Sequence, residues 1–315
     1  MSENDAIIAV NRAQCIQGLK QPFCQACAQI CPAGAIYPGA IFTPAHCERC
    51  GLCTAICPTG AICTRENYAQ GLQKILNQGA PFHFACQKRE KNSPFACLGF
   101  ITRDLLWAFC QQGETVLDLT LCDGCTPEVA KYIRTESSAV QQISENLPLR
   151  LYNHVVPKKD VSRRAFFRRF LGMEALQQAH DELQTVPPPE ASQAIPFYPR
   201  AYARQIAPTS PFAPTLSLFE ECNACGLCAR FCKTGAIQAV YQNNSLLLTF
   251  LPSLCSACGI CEARCPQQAL SLQASDGHEA KKRVRWQVPL PLCARCQQPY
   301  QPIGTSKLCQ KCLRA

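Results

Sequence analysis

A chain of 315 residues, 47% of them hydrophobic, has material for several packed cores, so its 26 cysteines are not needed to staple a core too small to stand alone. The 31 Lys and Arg exceed the 22 Asp and Glu, for a formal net charge of +9, and the opening MSENDAIIAVN has neither the basic start nor the apolar run of a secretory leader. No run of 18 apolar residues occurs, the densest patch being Leu246–Leu251, which excludes a membrane-spanning helix; the expectation is a cytoplasmic protein whose clustered thiols bind metal.

Residues 1–66 read as the first unit. Cys47-x2-Cys50-x2-Cys53-x3-Cys57-Pro58 is the bacterial ferredoxin run for a [4Fe-4S] cluster, in which a tight loop turns three thiolates to one centre and the fourth leaves toward a neighbouring cluster. Its partner is Cys15-x8-Cys24-x2-Cys27-x3-Cys31-Pro32, with a first spacer of eight residues. Cross-ligation then predicts one cluster on Cys15, Cys24, Cys27 and Cys57, and a second on Cys31, Cys47, Cys50 and Cys53.

Residues 67–150 read as a small α/β domain. His83–Cys86 and Thr115–Leu121 have strand character, Ile101–Gln112 reads as the intervening helix, and Gly113 ends it. Cys86, Cys97, Cys122 and Cys125 would converge at one edge of that sheet as a fifth metal site; the alternative is a domain of buried thiols that only spaces its neighbours. Cys110 points into the helix core, and Cys63 reads as a packed small hydrophobe.

Residues 151–185 carry a basic amphipathic helix. Lys158–Arg169 holds six basic residues and one acid, and Arg163, Arg164, Phe166 and Phe167 are its candidate partner-binding residues. A docking helix with a solvated basic face is the plainer reading of the same stretch. The SRRAFF sequence is similar to a twin-arginine export signal, but its internal position rejects that use. Eight prolines between Pro187 and Pro214 read residues 186–215 as an extended linker.

The ferredoxin pattern returns in residues 216–285 with regular spacers. Cys222, Cys225, Cys228 and Cys265 are expected to hold a third cluster, and Cys232, Cys255, Cys258 and Cys261 a fourth. Lys233 stands where the other three runs have proline. After each fourth cysteine comes PAGAI, PTGAI, KTGAI or PQQAL, a turn entering a short strand. Sixteen unligated thiols at this spacing would be an oxidation liability without packing advantage. In residues 286–315, Cys293-x2-Cys296-x12-Cys309-x2-Cys312 has zinc-ribbon spacing around a short hairpin with Gly304; the spacing does not separate zinc from a single iron. The fold class expected is α+β: two dicluster ferredoxin-like modules flanking a small α/β domain, with a zinc-ribbon-like knuckle at the C-terminus.

The segment with SRRAFF, ECNACGLCARFCKTGAI and SLCSACGICEARCPQQAL resembles the opening of NapF-type ferredoxins, cytoplasmic accessory proteins of periplasmic nitrate reductase. The N-terminal module, with Cys15 before CQACAQIC and then CERCGLCTAICPTGAI, is similar to the remainder of that family, so the order is rotated. FACLGFITRDLLWAFCQQGETVLDLTLCDGC resembles more loosely the iron–sulfur delta subunit of hydrogenases that feed heterodisulfide reductase, and the resemblance implies a [2Fe-2S] cluster involving Cys97, Cys122 and Cys125.

There is no GxGxxG, P-loop or HExxH, and none of His46, His83, His154, His180 and His278 falls in a pattern with a nucleophile, so no catalytic residue is expected. An array of clusters without a substrate site is an electron carrier. By resemblance its redox partner is a molybdopterin oxidoreductase of the nitrate reductase or formate dehydrogenase type. The alternative is a maturation factor that docks an apo-molybdoenzyme and supports its iron–sulfur loading. Nucleic-acid binding loses its charge argument. Four cubanes and one four-thiolate zinc add about −10 to the formal charge, and a fifth cluster about −2 more, so the loaded chain is close to neutral.

Overall fold

The structure is a computed structural model and describes residues 8–17, 24–38, 41–144, 146–153, 195–208, 210–273, 283–302 and 306–314. The expected basic helix, with Arg163, Arg164, Phe166 and Phe167, lies outside the described residues, as does Gly304.

The first module contains β1 (Ile8–Val10), α1 (Ala26–Ile30), a hairpin of β2 (Ile36–Tyr37) and β3 (Ile41–Phe42), then α2 (Leu52–Ile56) and β4 (Ile62–Thr64). β1 pairs antiparallel with β4, Ile8 opposite Thr64, and the two short helices lie against each other. Ile8, Ile36, Ala61 and Ile62 form the small apolar core between them, so the turn-to-strand segments after Cys31 and Cys57 bury their apolar residues as the sequence expects.

The middle domain contains α3 (Tyr68–Gln78), β5 (Phe82–Phe84), α4 (Arg103–Cys110), β6 (Thr115–Asp118), α5 (Cys122–Cys125), α6 (Pro127–Ile143) and β7 (Leu149–Tyr152). The strands form a parallel sheet in the order β5-β6-β7, with α4 and α6 as its crossovers. Local chemistry sets the helix ends: Asn67 and Thr102 cap α3 and α4 by accepting from the amides of Gln70 and Leu105, and Pro127 opens α6. The core is aromatic. Phe84 meets Phe109 edge-on at 5.0 Å, and Tyr68 stacks on Phe100 at 4.2 Å.

The described part of the proline-rich segment corrects the expectation of an extended linker. β8 (Ile195–Pro196) pairs with β4 as the third strand of the N-terminal sheet, and α7 (Pro199–Ile206) follows. Two prolines are compatible with this because Pro196 lies on an edge strand and Pro199 in the first helical turn, where no amide donor is needed. Phe197 and Ala203 anchor the segment in the aromatic core of the middle domain.

The second module repeats the plan of the first. β9 (Thr215–Leu218) precedes α8 (Leu227–Phe231), β10 (Ile237–Gln242), β11 (Ser245–Phe250), α9 (Ile260–Ala263) and β12 (Leu270–Gln273). β9 pairs with β12 as β1 does with β4, and β10–β11 is a longer hairpin turning at Asn243–Asn244, both at positive φ. β13 (Val284–Pro289) adds to β11, and a hairpin leads to the terminal α10 (Gln310–Arg314). Among the described residues no helix is long and apolar enough to cross a membrane.

Candidate metal centres

The regular runs share one backbone course. In Cys47–Cys53 the chain takes positive φ at Arg49 and Gly51, in Cys222–Cys228 at Ala224 and Gly226, and in Cys255–Cys261 at Ala257 and Gly259. These reversals curl the loop so that successive thiols face one point before the third cysteine enters a short helix. After each fourth cysteine a turn closes onto its carbonyl, from Gly34 to Cys31, Gly60 to Cys57, Gly235 to Cys232 and Gln268 to Cys265. The donor of each turn has positive φ. Lys233 therefore occupies the turn position of a proline without altering the turn. Amides of Ala35, Ala61 and Ala269 donate to the sulfurs of Cys31, Cys57 and Cys265 at 3.2–3.3 Å, the type of bond that supports a thiolate ligand.

The thiols face one another in sets. Burial first, then Cys57, Cys24 and Cys15, push Cys27 up to about 11. Burial lifts Cys53 strongly, with Cys50, Cys47 and Cys31 adding to it. In the second module burial, then Cys222, Cys225 and Cys265, raise Cys228 to about 12; burial, then Cys258 and Cys232, raise Cys255 to about 11. Each neighbourhood contains the cysteines expected to share a cluster, including the one contributed by the other run. Four thiolates confined together repel one another and have lost hydration, so a cationic iron–sulfur core fits what the polypeptide leaves uncompensated. Small apolar cavities sit inside the sets, one bordered by Cys31, Cys47, Cys50 and Cys53 and one by Cys222, Cys225, Cys228 and Cys265.

A family model described as a 4Fe-4S binding domain matches residues 218–238 and 248–271. The matched segments contain all eight cysteines of the second module, which is an iron–sulfur, ferredoxin-type domain. No curated protein sequence matches the chain.

In the middle domain Cys86 follows β5, Cys97 lies in the loop before α4, and Cys122 and Cys125 begin and end α5, just after β6. The parallel sheet carries these segments to one edge. Burial, then Cys97, Cys86 and Cys125, raise Cys122 to about 12. Cys125 is exposed, and Lys88 Nζ donates to its sulfur at 2.9 Å. Cys110 and Cys63 are buried apart from this group, Cys110 on α4 and Cys63 on β4.

This edge abuts the second N-terminal set. Gly99 has no Cβ because one would lie 2.3 Å from the Cys50 carbonyl oxygen, and Cys97 is the largest thiol influence on Cys50.

The C-terminal cysteines have a different geometry. Cys293, Cys296, Cys309 and Cys312 are, among the described residues, the only group of three or more metal-binding side chains whose ligand atoms all lie within 4.8 Å of one another. Cys296 and Cys309 sulfurs are 3.7 Å apart. A tetrahedron with metal–sulfur bonds of about 2.3 Å has edges of about 3.8 Å. This site fits one metal ion and is too tight for a cube of four irons. The amides of Cys309 and then Cys296 hold the Cys293 thiol down to about 6.

The sequence did not single out Tyr198, Arg200 and Arg204. Tyr198 Oη donates to the Pro58 carbonyl at 2.8 Å, Arg200 Nη1 to the Ser256 carbonyl at 2.8 Å, and Arg204 Nη2 to the Cys255 carbonyl at 3.1 Å. Their only signal was an aromatic and two arginines at helical spacing inside a proline-rich stretch.

Proposed function

We propose that the chain is a cytoplasmic multi-centre electron carrier serving a molybdopterin oxidoreductase of the nitrate reductase or formate dehydrogenase type. In this reading Cys15, Cys24, Cys27 and Cys57 hold one [4Fe-4S] cluster, and Cys31, Cys47, Cys50 and Cys53 a second. Cys222, Cys225, Cys228 and Cys265 hold a third, and Cys232, Cys255, Cys258 and Cys261 a fourth. Cys86, Cys97, Cys122 and Cys125 hold a further iron–sulfur centre, and Cys293, Cys296, Cys309 and Cys312 a structural zinc. A bound cluster supplies a reversible one-electron acceptor.

The observation that carries the reading is the direct packing of one thiol set on the next, with Gly99 against the Cys50 carbonyl. Electron transfer needs centres close together and held still. The polypeptide supplies both, because the rigid middle core fixes Cys97 while the positive-φ loop fixes Cys50. Lys88 places a positive charge on exposed Cys125, where a partner can approach. The choice of partner is supported by the resemblance of SRRAFF and the two regular runs to accessory ferredoxins.

Anaerobic purification with iron, sulfide and zinc quantitation tests the cofactors. About 16 irons and one zinc are expected from four cubanes and the ribbon, with a few more irons from the middle set. Folded, anaerobically handled protein with iron near zero would end the proposal. Reoxidation of the reduced protein on mixing with a nitrate reductase and nitrate, or with a formate dehydrogenase and carbon dioxide, tests the partner, and no reoxidation in either mixture removes that assignment.

A further inference from the structure

Resting on the cluster assignment above, we propose that Arg204 is the built-in counter-charge of the Cys232, Cys255, Cys258 and Cys261 set, raising its reduction potential and fixing it at the junction of the two ferredoxin modules.

The charges around α7 do not balance. Arg204 faces Tyr198, Asp104, Arg200 and Cys255. Asp104 is the only carboxylate among them and is already engaged: it accepts from Ser210 Oγ at 2.9 Å, and its other oxygen lies 3.6 Å from Arg200 Nε. Glu136 also influences Arg200, but it is held by Arg103 at 2.6 Å. Two guanidiniums thus share one carboxylate. Arg204 is half-buried, and among the described residues its buried Nε has no hydrogen-bond partner. A guanidinium held away from water costs free energy unless negative charge lies nearby. The group next to it is Cys255, whose backbone carbonyl accepts from Nη2 at 3.1 Å. Four thiolates around an iron–sulfur core carry a net charge of about −2, which supplies the missing partner.

The placement also joins the modules. Tyr198, the residue before α7, reaches the Pro58 carbonyl next to Cys57, while Arg200 and Arg204 reach Ser256 and Cys255. Gly60 leaves room for this clasp, since a Cβ there would stand 2.7 Å from that of Tyr198. One short segment therefore grips the turn after a ligand of the first set and the first ligand loop of the fourth. A positive charge beside a centre favours its reduced form, so Arg204 makes this junction a place where electrons reside. Arg204 is a positioning residue and takes no part in electron exchange itself.

The test compares full-length wild type, Arg204→Gln, Arg204→Lys and Cys258→Ser, each prepared anaerobically, by iron quantitation and EPR-monitored redox titration. Gln keeps a donor for the Cys255 carbonyl without the charge, and Lys keeps the charge without the fork. The expected result for Arg204→Gln is full iron and one signal, the same one that Cys258→Ser perturbs, whose ratio of reduced to oxidised centre at the wild-type midpoint falls about tenfold. That corresponds to about 59 mV for a one-electron couple. Arg204→Lys is expected to keep the wild-type potential. Full iron with every potential unmoved in Arg204→Gln overturns the inference, as does an equal fall in Arg204→Lys. If Arg204→Gln does not fold, the uncharged Arg204→Met takes its place: the same fall confined to that one signal is expected, and unmoved potentials overturn the inference. Wild type without iron would defeat the cluster assignment, an outcome distinct from a loaded variant with unchanged potentials.

Discussion

Gln268 does with a side chain what Gly34, Gly60 and Gly235 do without one. All four take positive φ at the third residue after a fourth cysteine, and Gln268, at φ 51, lacks the freedom of glycine. A left-handed residue with a Cβ costs about 1 kcal/mol, part of which glycine returns through the entropy of its unfolded chain. Gln268→Gly is therefore expected to stabilise the second module by about 0.5 kcal/mol, seen as a higher thermal midpoint of the anaerobic protein; a lower midpoint contradicts the turn argument. Gly99→Ala acts the other way. Its new Cβ would meet the Cys50 carbonyl oxygen at 2.3 Å, a backbone atom that cannot rotate aside. The variant should lose iron relative to wild type, and wild-type iron content would show that the two loops can part freely. The cysteine sets were legible in the sequence because ligation leaves a local spacing. Gly99 and Arg204 were not, because what they touch lies about 50 positions away in the chain.

Elements with strong end signals are legible in the sequence. Thr102 and Gly113 bracket α4, so the helix expected over 101–112 is shorter only by its ends, and the strands after the fourth cysteines fall where the turns place them. α3 and α6 carried equally plain signals, Asn67 with Gly79 and Pro127, but no metal motif drew attention to them. α7 is masked in the sequence because proline content outweighs the positions of the individual prolines, Pro199 standing in the first helical turn. Phe197 now has a measurable role: it is 4% exposed against Tyr68, Phe100 and Tyr202, and Phe197→Ala should cost about 3–5 kcal/mol in denaturant unfolding. A loss below about 1 kcal/mol would mean that the segment is not anchored there. Among the described residues the apolar clusters extend no further than Leu290, leaving the C-terminal hairpin outside them. Its folding must come from the metal. A zinc chelator should deprotect amides of residues 293–314 to hydrogen exchange while β10, β11 and β13 stay protected, and protection throughout would show that the hairpin folds without the ion.

At the scale of the whole molecule, the basic sequence describes a protein without its cofactors. The formal charge of +9 counts every thiol as neutral at pH 7. On the proposed assignment of four cubanes and one zinc, loading adds about −10, leaving about −1. Isoelectric focusing of the loaded protein should give a band well below that of metal-free protein, and coincident bands would refute the charge count. The shared plan of the modules was visible in their repeats, but their connection was not, because it depends on residues 195–206 returning to the N-terminal half. That return sets an order of events during synthesis. β4 is made early, yet the strand that completes its sheet emerges only after the entire middle domain has been translated. The N-terminal module therefore waits on the ribosome with its β4 edge open, and the protein matures by closing a loop around its centre instead of adding finished beads from one end to the other.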